Sequence, residues 1–477
     1  MAARKTRPYL FYDTTTALCA ECLNTVEAKI LFKDGRVYLD KWCPAHGSAR
    51  VLIADDEAWY RSAREVFVKA PELPRRFNTE MTWGCPYDCG LCPDHMQHAC
   101  LTVLEVTDHC NLSCPVCYAE SGPTRQTHRP LAMIETMLDA IVANEGEPDV
   151  VQISGGEPTL HPDFFAILDA AKARPIRHLM LNTNGIRIAQ DPAFAAQLAR
   201  YQPGFEVYLQ FDSFKPEAHR QLRGADLRRI REQALANLNA ADVSTTLVVT
   251  LKKGVNDDEI GAIIDYALTQ PCVRGVTLQP IQDAGRVEDY DASRHRLTVS
   301  EIRRRITEQT SLFAPADVAP VPCNPDGLAM AYALKLEGGD VVPLTRYATP
   351  ELLVRGEAST IVLEREPALR EAVFKLFSTN HSPESQAGCL SELMCCLPKI
   401  EAPTALSYRN VFRVLIVQFM DALSMDIRAL KKSCIHIVQP DGRMIPFEAH
   451  NLFYREGHAP RLAALRAGIE RRYRPAS

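Results

Sequence analysis

The stretch that most constrains this chain is Val103–Ser121, V-L-E-V-T-D-H-C-N-L-S-C-P-V-C-Y-A-E-S. A strand-like apolar run leads into Cys110, Cys114 and Cys117, spaced C-x3-C-x2-C. Thiolates are the ligands of iron–sulfur clusters, and a 4Fe–4S cluster takes four. Three cysteines on one short loop leave one iron open to a small molecule, as three protein ligands leave a catalytic zinc open. A second stretch has to agree, because the spacing alone occurs by chance. Residues 150–158 read V-V-Q-I-S-G-G-E-P, a buried-type strand ending in Gly155, Gly156 and Glu157. Paired glycines let backbone polar groups approach a ligand that a Cβ would block. An ordinary strand-to-helix turn is the bland reading of that stretch, and the cysteines beside it favour the ligand-facing one.

These two motifs resemble the radical S-adenosylmethionine (SAM) superfamily. The resemblance implies that Cys110, Cys114 and Cys117 carry a 4Fe–4S cluster whose open iron binds SAM. It also implies that Gly155, Gly156 and Glu157 hold the amino group of SAM, and that an adenosyl radical takes hydrogen from substrate. An electron donor such as ferredoxin or flavodoxin is implied as partner. One departure is that the residue before the third cysteine is Val116, with the aromatic Tyr118 just after it.

Composition narrows the class. The chain has 477 residues, 46% hydrophobic and 24% charged, as expected of a globular protein with two to four domains. A net charge of −5 gives no nucleic-acid-binding signal. No apolar run approaches the roughly 18–20 residues of a membrane span, and the first residues lack the apolar core of a secretory signal. Sixteen cysteines then argue for metal or cluster ligation in a reducing compartment. A cytoplasmic protein is expected.

Four segments are expected: 1–75, 76–100, 101–310 and 311–477. In the first, Cys19 and Cys22 are separated from Cys43 and His46 by two strand-like runs around Asp34-Gly35, a strong hairpin signal. Two ligand knuckles across a hairpin describe a zinc-ribbon or rubredoxin-like module holding one zinc or iron. In the second, Cys85, Cys89 and Cys92 repeat the C-x3-C-x2-C spacing, but no Gly-Gly-Glu follows directly. They are assigned to an auxiliary 4Fe–4S cluster, with Cys100 or His95 as fourth ligand.

The third segment alternates strands and helices. Strands are expected at 101–107, 150–154, 178–183, 206–212, 244–250 and 275–280, with helices between them. This implies parallel βαβ units and matches the α/β partial (β/α)6 barrel of the superfamily. Ligands in such folds sit at the carboxyl ends of strands. The polar residues there include Asn182–Asn184, Gln210, Asp212, Ser213, Lys252, Asn256 and Gln279. Asn184, Ser213 and Gln279 are the expected SAM contacts, although Asn and Ser at such places commonly cap helices.

The last segment is expected to form a C-terminal cluster-binding α+β domain. Cys389, Cys395, Cys396 and Cys434 are candidate ligands of a second auxiliary cluster, with Cys323 a further candidate. Residues 407–430 read as a long helix, and 461–473 as a basic amphipathic helix. The latter is expected to dock on its own domain, with peripheral contact at the inner membrane surface the alternative. The order of segments resembles the superfamily branch that holds tetraether lipid synthases and dihydropterin methylases. That resemblance implies C–C bond formation or alkylation of a lipid-like substrate, with methylation of a pterin, or modification of a peptide, as alternatives. Its second departure is Glu448, where the branch commonly has cysteine. A scaffold that uses its clusters for electron transfer alone is the non-enzymatic reading.

Overall fold

The structure is a computed structural model that describes residues 7–336, 339–345, 350, 354 and 410–473. Cys389, Cys395 and Cys396 lie outside the described residues.

The N-terminal module is an antiparallel meander of β1 (Leu10–Leu18), β2 (Thr25–Lys33), β3 (Arg36–Cys43) and β4 (Gly47–Ala54). Asp34 and Gly35 both take positive φ, 53° and 72°, as a two-residue hairpin turn between right-twisted strands requires. Alternation along β3 turns Val37, Leu39 and Cys43 inward and places Lys41 in the same buried row. Its Nζ donates to the carbonyls of Leu18 (2.5 Å), Leu423 (2.8 Å) and Ala422 (3.2 Å), tying the module to the C-terminal part of the chain. Burial lowers the Lys41 pKa to about 8. The unfolded chain therefore binds more protons than the folded one between about pH 8 and the ordinary lysine value, so stability rises with pH across that window. Urea denaturation should show a rise of up to about 3 kcal/mol in wild type, flattened in Lys41→Met.

Six parallel strands form the barrel: β5 (Leu101–Thr107), then, after the short β6 (Val116–Cys117), β7 (Val150–Gly155), β8 (His178–Thr183), β9 (Phe205–Gln210), β10 (Thr245–Leu251) and β11 (Val273–Pro280). They lie within one residue or two of the expected positions. Every strand is buried on both faces, as parallel sheets are. Leu104, Ile153, Leu181 and Leu209 join the core of the enclosing helices, against Ile134, Leu138, Ile167 and Leu235. Val103, Val150, Met180, Tyr208 and Val248 belong to the opposite, lumen-side core.

One expectation about the last segment is corrected. Residues 407–430 do not form a long helix: β16 (Val411–Val417) is a strand, and the helix there is only Ile427–Leu430. V-F-R-V-L-I-V is rich in β-branched residues, and it is held between β11, parallel, and β14 (Leu328–Lys335), antiparallel. A short apolar run reads equally as buried helix or strand until its neighbours are known. The described C-terminal strands join the barrel sheet. β14 and β16 extend the barrel sheet beyond β11, while β17 (Ile435–Val438) pairs parallel with β5 and β18 (Met444–Pro446) caps that edge.

The final helix, Ala459–Tyr473, buries Leu462 and Leu465 in a core cluster with Tyr87, Leu452 and Phe453. Arg466 donates to the Tyr87 carbonyl (2.6 Å) and stacks on Trp83. The apolar face of this helix is therefore covered by its own chain. Among the described residues no helix is long and apolar enough to cross a membrane.

Candidate active site

The loop after β5 carries Cys110, Cys114 and Cys117 over the carboxyl ends of the barrel strands. Its height is set by the glycines of the second motif. Gly156 N–H donates to the Thr107 carbonyl (2.7 Å) and Glu157 N–H to the His109 carbonyl (2.8 Å). A Cβ on Gly155 would stand 2.2 Å from the Thr107 oxygen, and one on Gly156 2.0 Å from that of His109. The glycines are thus required first by the close approach of the cysteine loop itself.

Glu157 is buried and its carboxylate already satisfied. It accepts from Thr183 Oγ1 (2.7 Å), Thr159 Oγ1 (2.6 Å), the Thr159 amide (3.2 Å) and the Asn184 amide (2.7 Å). Asn184 Nδ2 in turn reaches Asn111 Oδ1 (2.7 Å), inside the cysteine loop. Arg286 ties the loop from the other side, donating to the carbonyls of Cys114 (2.6 Å) and Ser121 (2.8 Å). Its short strand, β12 (Arg286–Val287), pairs with β6.

A cavity opens beneath the three cysteines and runs down the lumen. Gly155, Gly156, Glu157, Asn184, Gln210 and Gln279 line it near the cysteines, and Tyr118, Met180, Tyr208, Val248, Met330 and Phe447 line it further in. At its far end stand Arg413 and His178, both on Glu206 Oε2, at 2.5 and 3.1 Å. Gln279 Nε2 donates to Tyr208 Oη (3.1 Å), and Tyr118 Oη lies 2.9 Å from Ser154 Oγ. Ser213, an expected contact, is turned away: its hydroxyl bonds Glu259, and it does not line the cavity.

The residue that sequence reading missed is Arg223. It pairs bidentately with Asp212 (2.7 and 2.7 Å), is buried, and lines the cavity. Burial raises the Cys114 pKa, and the Arg223 guanidinium partly offsets that rise. Burial likewise pushes Cys110 up to about 12. These thiols ionise only where positive charge compensates them, which an iron–sulfur cluster provides. One sequence offers no signal that separates Arg223 from the other arginines.

The N-terminal ligand set converges. Cys19, Cys22, Cys43 and His46 bring their donor atoms within 4.8 Å of one another. His46 Nδ1 is 3.4 Å from Cys19 Sγ and 3.5 Å from Cys43 Sγ, and its Nε2 faces Glu21. The Ala45 amide and His46 lower Cys43 to about 6, so a thiolate is available to a metal.

The two C-x3-C-x2-C triplets do not come so close, as suits a cluster that spreads its ligands over several irons. Around Cys89 the nearby charges are Cys85, Cys92 and Glu448. Neither expected fourth ligand joins them. Cys100 Sγ packs with Cys323 and Cys434 instead, and His95 Nε2 lies 3.0 Å from both the Ser433 carbonyl and His436 Nε2. Glu448 is the buried carboxyl there, accepting from Ser433 Oγ (2.9 Å) and raised by burial to about 7.

Residues 104–267 match the family model of the radical SAM superfamily. The chain carries a radical SAM domain. Residues 11–55 match the HMPTM N-terminal zinc ribbon domain. Over 93% of its length the chain is 28% identical to a 7,8-dihydro-6-hydroxymethylpterin dimethyltransferase of Methanocaldococcus jannaschii, covering 94% of that protein. It is 33% identical to a GTP 3',8-cyclase of Chlorobaculum tepidum over 41% of this chain and 59% of that one. Streptococcus suis SuiB bound to S-adenosylmethionine is a structural neighbour, with a TM-score of 0.37, 18% identity and coverage of 45% of this chain and 47% of that one. With a radical SAM domain at residues 104–267 the chain is an enzyme, and the cofactors of that domain are a 4Fe–4S cluster and SAM.

Proposed function

We propose that this radical SAM enzyme methylates a pterin-like substrate at an unactivated carbon. The observation that carries the reading is the likeness to the M. jannaschii pterin dimethyltransferase, which spans the zinc ribbon, the barrel and the C-terminal strands alike. A 4Fe–4S cluster held by Cys110, Cys114 and Cys117 would bind SAM and, with one electron from the donor, would supply the 5′-deoxyadenosyl radical that takes hydrogen from substrate; a second SAM would give the methyl group and leave as S-adenosylhomocysteine, with a second electron closing the balance. The chain's residues do the rest. Gly155 and Gly156 keep the cysteine loop pressed on β7 and offer backbone groups to the amino end of SAM. Asn184 and Gln279 present amides to the same space, and Arg223 supplies a fixed positive charge beside Cys114. The apolar lumen excludes water from a radical reaction and holds the substrate carbon in line. Cys85, Cys89 and Cys92 carry an auxiliary cluster, and a small low-potential electron carrier, a ferredoxin or flavodoxin, serves as donor.

A second reading, C–C bond formation on a lipid-like substrate, is favoured by one observation. The lumen wall beyond Tyr118 is built largely of Met180, Val248, Met330, Leu415 and Val417. Anaerobic reconstitution with dithionite and SAM, followed by 5′-deoxyadenosine measurement, tests both. Stimulation by reduced pterins, with a product heavier by a methyl group, is the expected result. Stimulation by lipid extract alone would replace it with the second reading, and no SAM cleavage in a fully clustered sample would sink both.

A further inference from the structure

Cys100, Cys323 and Cys434 come together although they lie in three separate stretches of sequence. Their sulfurs lie within 4.8 Å of one another, with Cys323 and Cys434 at 3.8 Å. All three are buried and none is in a disulfide. Cys100 immediately precedes β5 and Cys434 precedes β17, and these strands pair in parallel, Leu101 opposite Ile435. The group therefore sits at the amino end of the barrel, about 20 Å along β5 from the loop of Cys110.

The spacing distinguishes this group from the C-x3-C-x2-C triplets. A tetrahedral ion with metal–sulfur bonds of about 2.3 Å puts its sulfurs about 3.8 Å apart. The zinc-ribbon set shows the same separation, 3.9 Å between Cys22 and Cys43. Among the described residues these are the two groups whose donor atoms converge so closely.

A nitrogen donor stands beside the thiols. His98 Nε2 is 3.6 Å from Cys100 Sγ, and its Nδ1 is 2.9 Å from Glu145 Oε2. Glu145 Oε1 accepts from the Ala99 amide (3.1 Å), so the carboxylate is fixed. A carboxylate on Nδ1–H leaves the Nε2 lone pair facing Cys100, the arrangement in which metal-bound histidines are usually held. Gln97 Nε2 donates to Cys100 Sγ from the other side (3.6 Å).

We propose that Cys100, Cys323 and Cys434 bind a single soft divalent ion, zinc or iron(II), with His98 as fourth ligand held by Glu145. The site fastens β5, the first barrel strand, to β17 at the amino end of the sheet, away from the loop of Cys110. Loading would draw His98 closer to the thiols, since its nitrogen does not yet converge with all three.

The test counts zinc, iron and acid-labile sulfide in full-length protein purified anaerobically. Cys323→Ser should lose one metal ion per chain and no sulfide, leaving the zinc-ribbon ion in place. Loss of several irons together with sulfide would overturn the proposal by showing a cluster at this site. An unchanged metal count would overturn it equally. Should Cys323→Ser fail to fold, Glu145→Gln supplies the second arm. It should retain the ion yet release it to a chelator about 10- to 100-fold more readily than wild type, and identical release would remove His98 from the ligand set.

Discussion

Cys110→Ala should abolish 5′-deoxyadenosine formation, a loss of about 10⁶-fold or more if SAM cleavage here matches ordinary enzymic acceleration. Cys110 is partly exposed, on a loop whose shape is set by backbone bonds to β7 and by Arg286, so the variant should fold. Iron and sulfide content should fall by one cluster while the zinc-ribbon ion remains. The corresponding change in the second triplet, Cys89→Ala, should remove a different cluster and leave SAM cleavage measurable. If Cys89→Ala abolished cleavage and Cys110→Ala did not, the assignment of the two triplets would be reversed.

The second large effect is expected at the Asp212–Arg223 pair. Both side chains are buried, and Arg223 also donates to Thr250 Oγ1 (2.7 Å). Asp212→Ala leaves the guanidinium uncompensated in the interior, which costs about 3–5 kcal/mol in comparable pairs. A lowered urea midpoint with an unchanged m-value is the expected readout. Replacing both partners, Asp212→Asn with Arg223→Met, should recover part of that stability, because the buried charge leaves with its partner and asparagine tolerates the positive φ of 70° at position 212. It should not restore the site. Without a cation beside Cys114, a redox titration should place the cluster at a more negative potential than in wild type, since charge and hydrogen bonds at the sulfurs set that value. A double variant with wild-type potential would show that Arg223 acts on the fold alone.

The barrel was legible because its signals are local. Each strand is a short apolar run closed by polar residues, and each helix between has its own period, so no distant contact had to be known. The same holds for the N-terminal module, where Asp34-Gly35 announces the hairpin that brings Cys43 to Cys19. What escaped sequence reading depends on partners far along the chain. Residues 411–417 are a strand because β11 and β14 lie on either side. Cys100 follows Cys92 closely in sequence yet meets Cys323 and Cys434 in space. Ser213 stands where a ligand contact is expected, but Glu259, at the start of the helix Ile260–Thr269 that follows β10, claims its hydroxyl. Arg223 and Arg286 carry no local pattern at all, and their roles come from the strand ends and the cysteine loop they meet.

The two edges of the barrel are closed by the same late part of the chain, β16 on β11 and β17 on β5. This sets an order of events during synthesis. About 330 residues separate Leu101 from Ile435, and at roughly 5–20 residues per second the edge of β5 waits on the order of 20 s to a minute for its partner. Until then a nascent chain presents two unpaired strand edges, the condition that favours strand-edge association. Metal loading before β17 arrives would have to act on an open sheet. The group of Cys100, Cys323 and Cys434, which needs the residue just before β17, closes only after that wait.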